Sequence, residues 1–75
     1  MSDRELFTYI LEYADYMQEE FEIVKSSVNR LWLGIKAEQE IQPDLDNIDF
    51  HLRMIAMYRQ KIQEFLEEYN VPNQN

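Results

Sequence analysis

Between Ser2 and Asn70 the chain contains a single glycine, Gly34, and a single proline, Pro43. Backbone breakers this rare leave few places for a turn. No stretch alternates apolar and polar residues between turn signals as a strand would. The sequence therefore reads as all-α, built from long helices. Its 75 residues make one small domain at most. Aromatic residues form 13% of the chain, far more than acidic disordered segments carry, so the chain is expected to fold. It has no cysteine, which excludes disulfides and thiolate sites.

The first helix has a start signal. Ser2 followed by Glu5 fits a capping box, in which each side chain covers an orphan N–H of the other residue. Apolar positions follow at Leu6, Ile10, Tyr13, Met17, Phe21, Val24, Val28, Leu31 and Ile35, in steps of 3 and 4 that mark one helix face. Two consecutive steps of 4 around Met17 and Phe21 act as a stutter, where a supercoil should relax. Ser26-Ser27 is weak in helix propensity, but Val28 and Leu31 keep the phase. Gly34 could end the helix in a left-handed residue. Against that, Ile35 stays in phase and Lys36 to Glu40 are mostly strong helix formers. Pro43 is the harder break, because it disfavours a helical Gln42 and lacks an N–H. The turn is placed at 41–44, with Gly34 as the alternative.

The second helix carries Leu45, Ile48, Leu52, Ile55, Ile62, Leu66 and Tyr69 in heptad spacing, with Arg59 in the vacant slot. Arg59 could snorkel, or it could fix register by pairing with an acid of the first helix. Asn70 and Pro72 stop the helix. The expected domain, 1–70, is an antiparallel hairpin with helices 2–41 and 44–69, followed by a polar tail over 71–75. The arms are unequal, about 38 residues against about 26, or roughly 57 Å against 39 Å. Leu6 to Tyr13 would then overhang, an apolar stretch that monomers avoid leaving in water. A second copy completing a four-helix bundle is the simplest cover. A different partner, or a kink giving a three-helix monomer, would serve the same end. Leu6, Ile10, Met17, Phe21, Val24, Val28, Leu31, Ile35, Leu45, Ile48, Leu52, Ile55, Ile62 and Leu66 are the candidate core and dimer residues.

The formal net charge is −8, which argues against direct nucleic-acid binding, since phosphate contacts need Lys and Arg. Glu12, Asp15, Glu19 and Glu22 step by 3, 4 and 3 along one face. They read either as a solvated face or as a docking strip for a basic surface. Phe7, Tyr9, Tyr13 and Tyr16 on the expected overhang are the other partner-binding candidates, since aromatic residues anchor interfaces. The only histidine, His51, has Ile48 three residues before it, so the Glu-x-x-His ligand pattern of di-metal bundles is missing. It is expected beside the apolar stripe, partly exposed. No Ser-His or Cys-His pairing suggests catalysis, and no metal, cofactor or small-molecule substrate is expected. The N-terminus lacks the basic and apolar regions of a signal peptide, and no apolar run could span a membrane, so a soluble, cytoplasmic protein is expected.

Trp32-Leu33-Gly34 resembles the Trp-x-Gly motif of the WXG100 proteins, small acidic helical hairpins that are secreted and dimerise into four-helix bundles. The resemblance covers three residues and the general architecture, and it implies export. In that family the motif lies at the turn, nine residues before the turn expected here. The family's Tyr-x-x-x-Asp/Glu signal after the second helix is also missing, since Tyr58 is followed at +4 by Ile62 and Tyr69 by Asn73. From the residues themselves, the expected function is a non-catalytic protein–protein interaction module, a small adaptor or regulator of bacterial or phage type. The alternative is an acidic inhibitor that occupies the basic cleft of a nucleic-acid-handling protein.

Overall fold

The computed structural model describes residues 2–69 and is an antiparallel helical hairpin. Helix α1 spans Asp3–Lys36 and α2 spans Gln42–Glu68. The capping box forms as its spacing requires. Ser2 Oγ accepts from the Glu5 N–H, and the Glu5 carboxylate accepts from the Ser2 N–H, each at 3.2 Å. The hairpin is 53 Å long, the length of a 34-residue helix at about 1.5 Å per residue.

The chain turns at neither Gly34 nor Pro43. Helix α1 stops at Lys36, five residues before the expected end. The Glu38 N–H reaches the Ile35 carbonyl (3.2 Å) and the Gln39 N–H reaches the Gly34 carbonyl (2.8 Å). These two bonds make a Schellman closure around Glu38, which sits at φ 57° where glycine is usual. Gly34 stays helical and buried, and a Cβ there would lie 3.4 Å from Ile41 Cγ2. Its small size lets the chain fold back closely at that point. Pro43 lies in the first turn of α2, where its missing N–H has no helical partner to lose. It starts a helix here and does not break one.

This turn removes the expected overhang. Tyr69 shares a recess with Leu6 and Ile10, and Leu6 is buried. The arms, 34 and 27 residues long, differ by seven, fewer than the roughly twelve expected, so α2 covers most of α1. The expected stops at Asn70 and Pro72, and the tail, lie outside the described residues.

The inward face of α1 also differs by one position from the expected one. The covered residues are Leu6, Ile10, Tyr13, Met17, Glu20, Val24, Ser27, Leu31 and Gly34. Their steps alternate 4 and 3 throughout, so there is no stutter. Phe21, Val28 and Ile35 each lie one residue beyond a covered position and are about half exposed. On α2 the covered set includes Ile41, Asp44, Ile48, His51, Ile55, Tyr58, Ile62, Phe65 and Tyr69, while Leu45, Leu52 and Arg59 are exposed. A strict heptad keeps one seam facing the partner helix along its whole length. Reading for the nearest apolar residue instead drifts off that seam wherever the seam residue is polar or small.

Each helix therefore contributes two rows. One row of α1 is Ile10, Met17, Val24 and Leu31, and one row of α2 is Ile41, Ile48, Ile55 and Ile62. The other rows are mixed, with Tyr13, Glu20, Ser27 and Gly34 on α1 against Asp44, His51, Tyr58 and Phe65 on α2. The mixed rows meet along one long edge of the hairpin and the aliphatic rows lie along the other. Leu6 and Val24 are the only large apolar residues that are buried among the described residues, and each keeps a little exposure. At about 1.5–3 kcal/mol for each such side chain, this is a thin core against the entropy of ordering the chain.

Candidate protein-binding surfaces

The mixed edge is a ladder of unlike rungs. Nearest the turn, Arg30 Nε lies 3.6 Å from an Asp44 carboxylate oxygen. Next, Asn47 Nδ2 donates to Ser27 Oγ at 2.6 Å, and Arg30 Nη2 donates to the same oxygen at 3.1 Å. Ser27 is wholly buried, and both acceptor sites of its hydroxyl are taken. Further down, His51 Nδ1 meets a Glu20 carboxylate oxygen in a mostly buried pair, and Phe50 stands edge-on to the imidazole at 5.0 Å. Tyr58 then packs between Tyr16 (5.4 Å) and Tyr13 (5.8 Å), and Phe65 packs on Tyr13 (5.5 Å) and stacks on Tyr9 (4.9 Å). No buried side-chain nitrogen or oxygen among the described residues lacks a partner.

These contacts correct one expectation, at His51, and decide against one of the two readings of Arg59. His51 sits in the seam, paired with Glu20, and is not a flanking residue. Arg59 forms no ion pair among the described residues; register is held instead by Ser27 with Asn47 and by Glu20 with His51. Neither pair was picked out from sequence. The available signal was the seven-residue spacing of Glu20, Ser27 and Gly34, which continues the heptad of Leu6 and Tyr13 through residues that are not apolar.

The four aromatic candidates do not form one free cluster. Tyr9, Tyr13 and Tyr16 are rungs of the ladder, with Tyr13 edge-on to Tyr16 at 5.3 Å. Phe7 lies on the opposite edge and is 64% exposed.

Glu12, Asp15, Glu19 and Glu22 are all exposed, on the side of α1 turned away from α2. The strip is tied down locally. Tyr16 donates its hydroxyl to Glu12 at 2.9 Å, and Glu22 lies 3.7 Å from Lys25. The bond to Glu12, reinforced by its charge, raises the Tyr16 pKa above the usual phenol value. At the turn end, Trp32 and Leu33 are exposed, and the Lys36 ammonium lies 5.7 Å from the Trp32 ring centre.

The aliphatic edge is open. Phe7, Phe21, Val28 and Ile35 of α1 and Leu45 and Leu52 of α2 flank its two rows, each between 41% and 64% exposed. Three shallow recesses lie on this edge. One of 370 Å³ is formed by Leu6, Phe7, Ile10 and Tyr69 with Asp3, one of 290 Å³ lies among Phe21, Val24 and Val28, and one of 230 Å³ lies among Arg59, Ile62 and Leu66. Among the described residues no three His, Cys, Asp or Glu side chains converge, and no helix is long and apolar enough to cross a membrane. Trp32-Leu33-Gly34 lies in the last turns of α1, closer to the turn than the sequence reading placed it. No family model, curated protein or solved structure matches the chain.

Proposed function

We propose that this chain is a non-catalytic protein-binding module: a small acidic adaptor or regulator, of bacterial or phage type, that acts in the cytoplasm. In this reading it associates as a four-helix bundle and docks a helix face on a larger protein. The observation that carries the reading is the open aliphatic edge. A hairpin with so thin a core gains much of its stability from whatever covers that edge. The exposed acidic strip favours a second reading, an inhibitor that occupies the basic cleft of a nucleic-acid-handling protein.

Photo-crosslinking in the cells of origin tests both readings, with the reactive residue placed at Leu52 on the open edge or at Asp15 on the strip. An adaptor gives a discrete adduct with a larger protein from at least one position. Adducts only between copies of the chain would sink the adaptor reading. An acidic inhibitor loses its target steeply with added salt, because exposed charges are screened over about 8–10 Å near physiological ionic strength. Replacing Glu12, Asp15, Glu19 and Glu22 by Gln or Asn abolishes that adduct if the second reading is right and leaves it intact if it is wrong.

A further inference from the structure

The geometry points to the aliphatic edge as the contact surface of a two-fold dimer, with a second copy of this chain as its occupant; this rests on the protein-binding reading and supplies its first partner. Charge is the first reason. Among the fifteen acids of the chain, only Asp3 and Asp49 occupy heptad positions on or bordering this edge, together with Arg4, Lys25 and Arg59. The surface is locally near neutral on a protein of net charge −8. A two-fold interface brings the same patch of each copy together, so a patch carrying the average charge of this chain would repel itself. The acids lie elsewhere, and a basic partner would find them on the far side of α1.

Shape is the second reason. The edge carries projecting side chains, Phe7 foremost and then Phe21, Ile35 and Leu52, and shallow recesses beside Val24 and Ile62. One surface thus supplies both knobs and hollows, as self-complementary packing needs. Area is the third. The six flanking side chains and the partly covered isoleucines behind them expose on the order of 800 Å² per copy, taking ~150–250 Å² for a fully exposed large side chain. That is about one partner's share of a standard protein interface.

The test combines charge insertion with cross-linking in the full chain. Val28 and Leu52 are exposed in the single hairpin, so Val28→Glu with Leu52→Glu leaves the ladder untouched while placing four carboxylates in the dimer contact. Light scattering on the natural chain should give twice 9.2 kDa at micromolar concentration. The double variant should weaken association at least 100-fold. The chain has no cysteine, so Phe21→Cys, Leu52→Cys and Asp15→Cys are each the only thiol present. Under mild oxidation the first two should give covalent dimers and Asp15→Cys should not. This second arm holds even if the glutamate variant proves too unstable to weigh.

A monomeric natural chain at high concentration overturns the proposal, as does a trimer, a dimer indifferent to the two glutamates, or cross-linking from Asp15→Cys alone. A monomer that still gives an adduct with a larger protein through Leu52 would sink the dimer and leave the module reading standing. A dimer of the expected kind with no adduct to any larger protein would do the reverse.

Discussion

The two long edges of this hairpin are made of the same two helices and do opposite things. Along one edge the contacts are specific pairs: Arg30 with Asp44, Ser27 with Asn47, Glu20 with His51, Tyr58 between two tyrosines, and Phe65 on Tyr9. Along the other, aliphatic rows lie side by side and their flanking residues stay in water. Directional contacts identify which residue stands opposite which. Aliphatic contacts supply free energy in proportion to area and accept many partners. The ladder edge thus sets how the chain folds on itself, and the open edge sets what it can join.

That division can be broken most sharply at Ser27. Ser27→Leu overfills a wholly buried site, at about 1–3 kcal/mol, and strands the Asn47 amide, at about 1–3 kcal/mol more. The expected total is about 3 kcal/mol in chemical denaturation. Val28→Ser, one residue away on the open edge, should barely change the stability of the single hairpin. Equal losses at the two positions would mean that the edges do not differ.

Phe65→Ala comes next. It removes the ring that stacks on Tyr9 and packs on Tyr13, and the partial exposure of the site keeps the loss to about 2 kcal/mol, below the usual range for a buried Phe. Amide exchange should report that loss near Tyr9 and Tyr13 and spare the Ser27 region. Glu38→Gly should stabilise the chain by about 1 kcal/mol, because glycine adopts φ 57° without a Cβ clash. It touches neither edge, so a change in oligomeric mass in that variant would contradict the separation drawn here.

The smallest effect is at the first turn of α1. The backbone bond from Ser2, then its side-chain bond, hold the Glu5 pKa below the usual carboxylate value. A lowered folded-state pKa contributes stability that is present above the unfolded value and is lost as pH falls through the folded one. Acidification through that window should fray the first turn, seen as faster exchange of the Leu6 amide; Ser2→Ala, which keeps the backbone N–H, should only weaken that pH dependence, and Glu5→Gln should remove it.

Sequence alone made the two helices, their antiparallel pairing and the Ser2–Glu5 cap legible, because each rests on local periodicity or a short motif. The turn was not, because the residue that adopts the left-handed conformation is Glu38, which carries no signal for it. Helix propensity over Lys36 to Glu40 pointed the wrong way, and closure around Glu38 with Ile41 against Gly34 overrode it. The seam was half legible. Its aliphatic rows follow the heptad, but Glu20, Ser27, Asp44 and His51 look like surface residues until their partners are known. The open edge contains the residues a search for apolar positions finds first, Phe21, Val28, Ile35, Leu45 and Leu52, which is why they were expected inside.

The order of the rungs has a kinetic consequence. The rung nearest the turn joins residues close in sequence; Ser27 and Asn47 are 20 residues apart, and Glu20 and His51 are 31 apart. Each contact made shortens the loop the next must close, so the entropic barrier is met in small steps from the turn outward. Folding should proceed as a zipper, with the Tyr9–Phe65 stack forming last. Substitutions at Arg30 or Asp44 should then slow folding, whereas those at Tyr9 or Phe65 should speed unfolding. A chain zipped one heptad out of register would set the Glu20 carboxylate against the Asp44 carboxylate or against the Tyr58 ring in place of His51, and would reopen before its aromatic end could close.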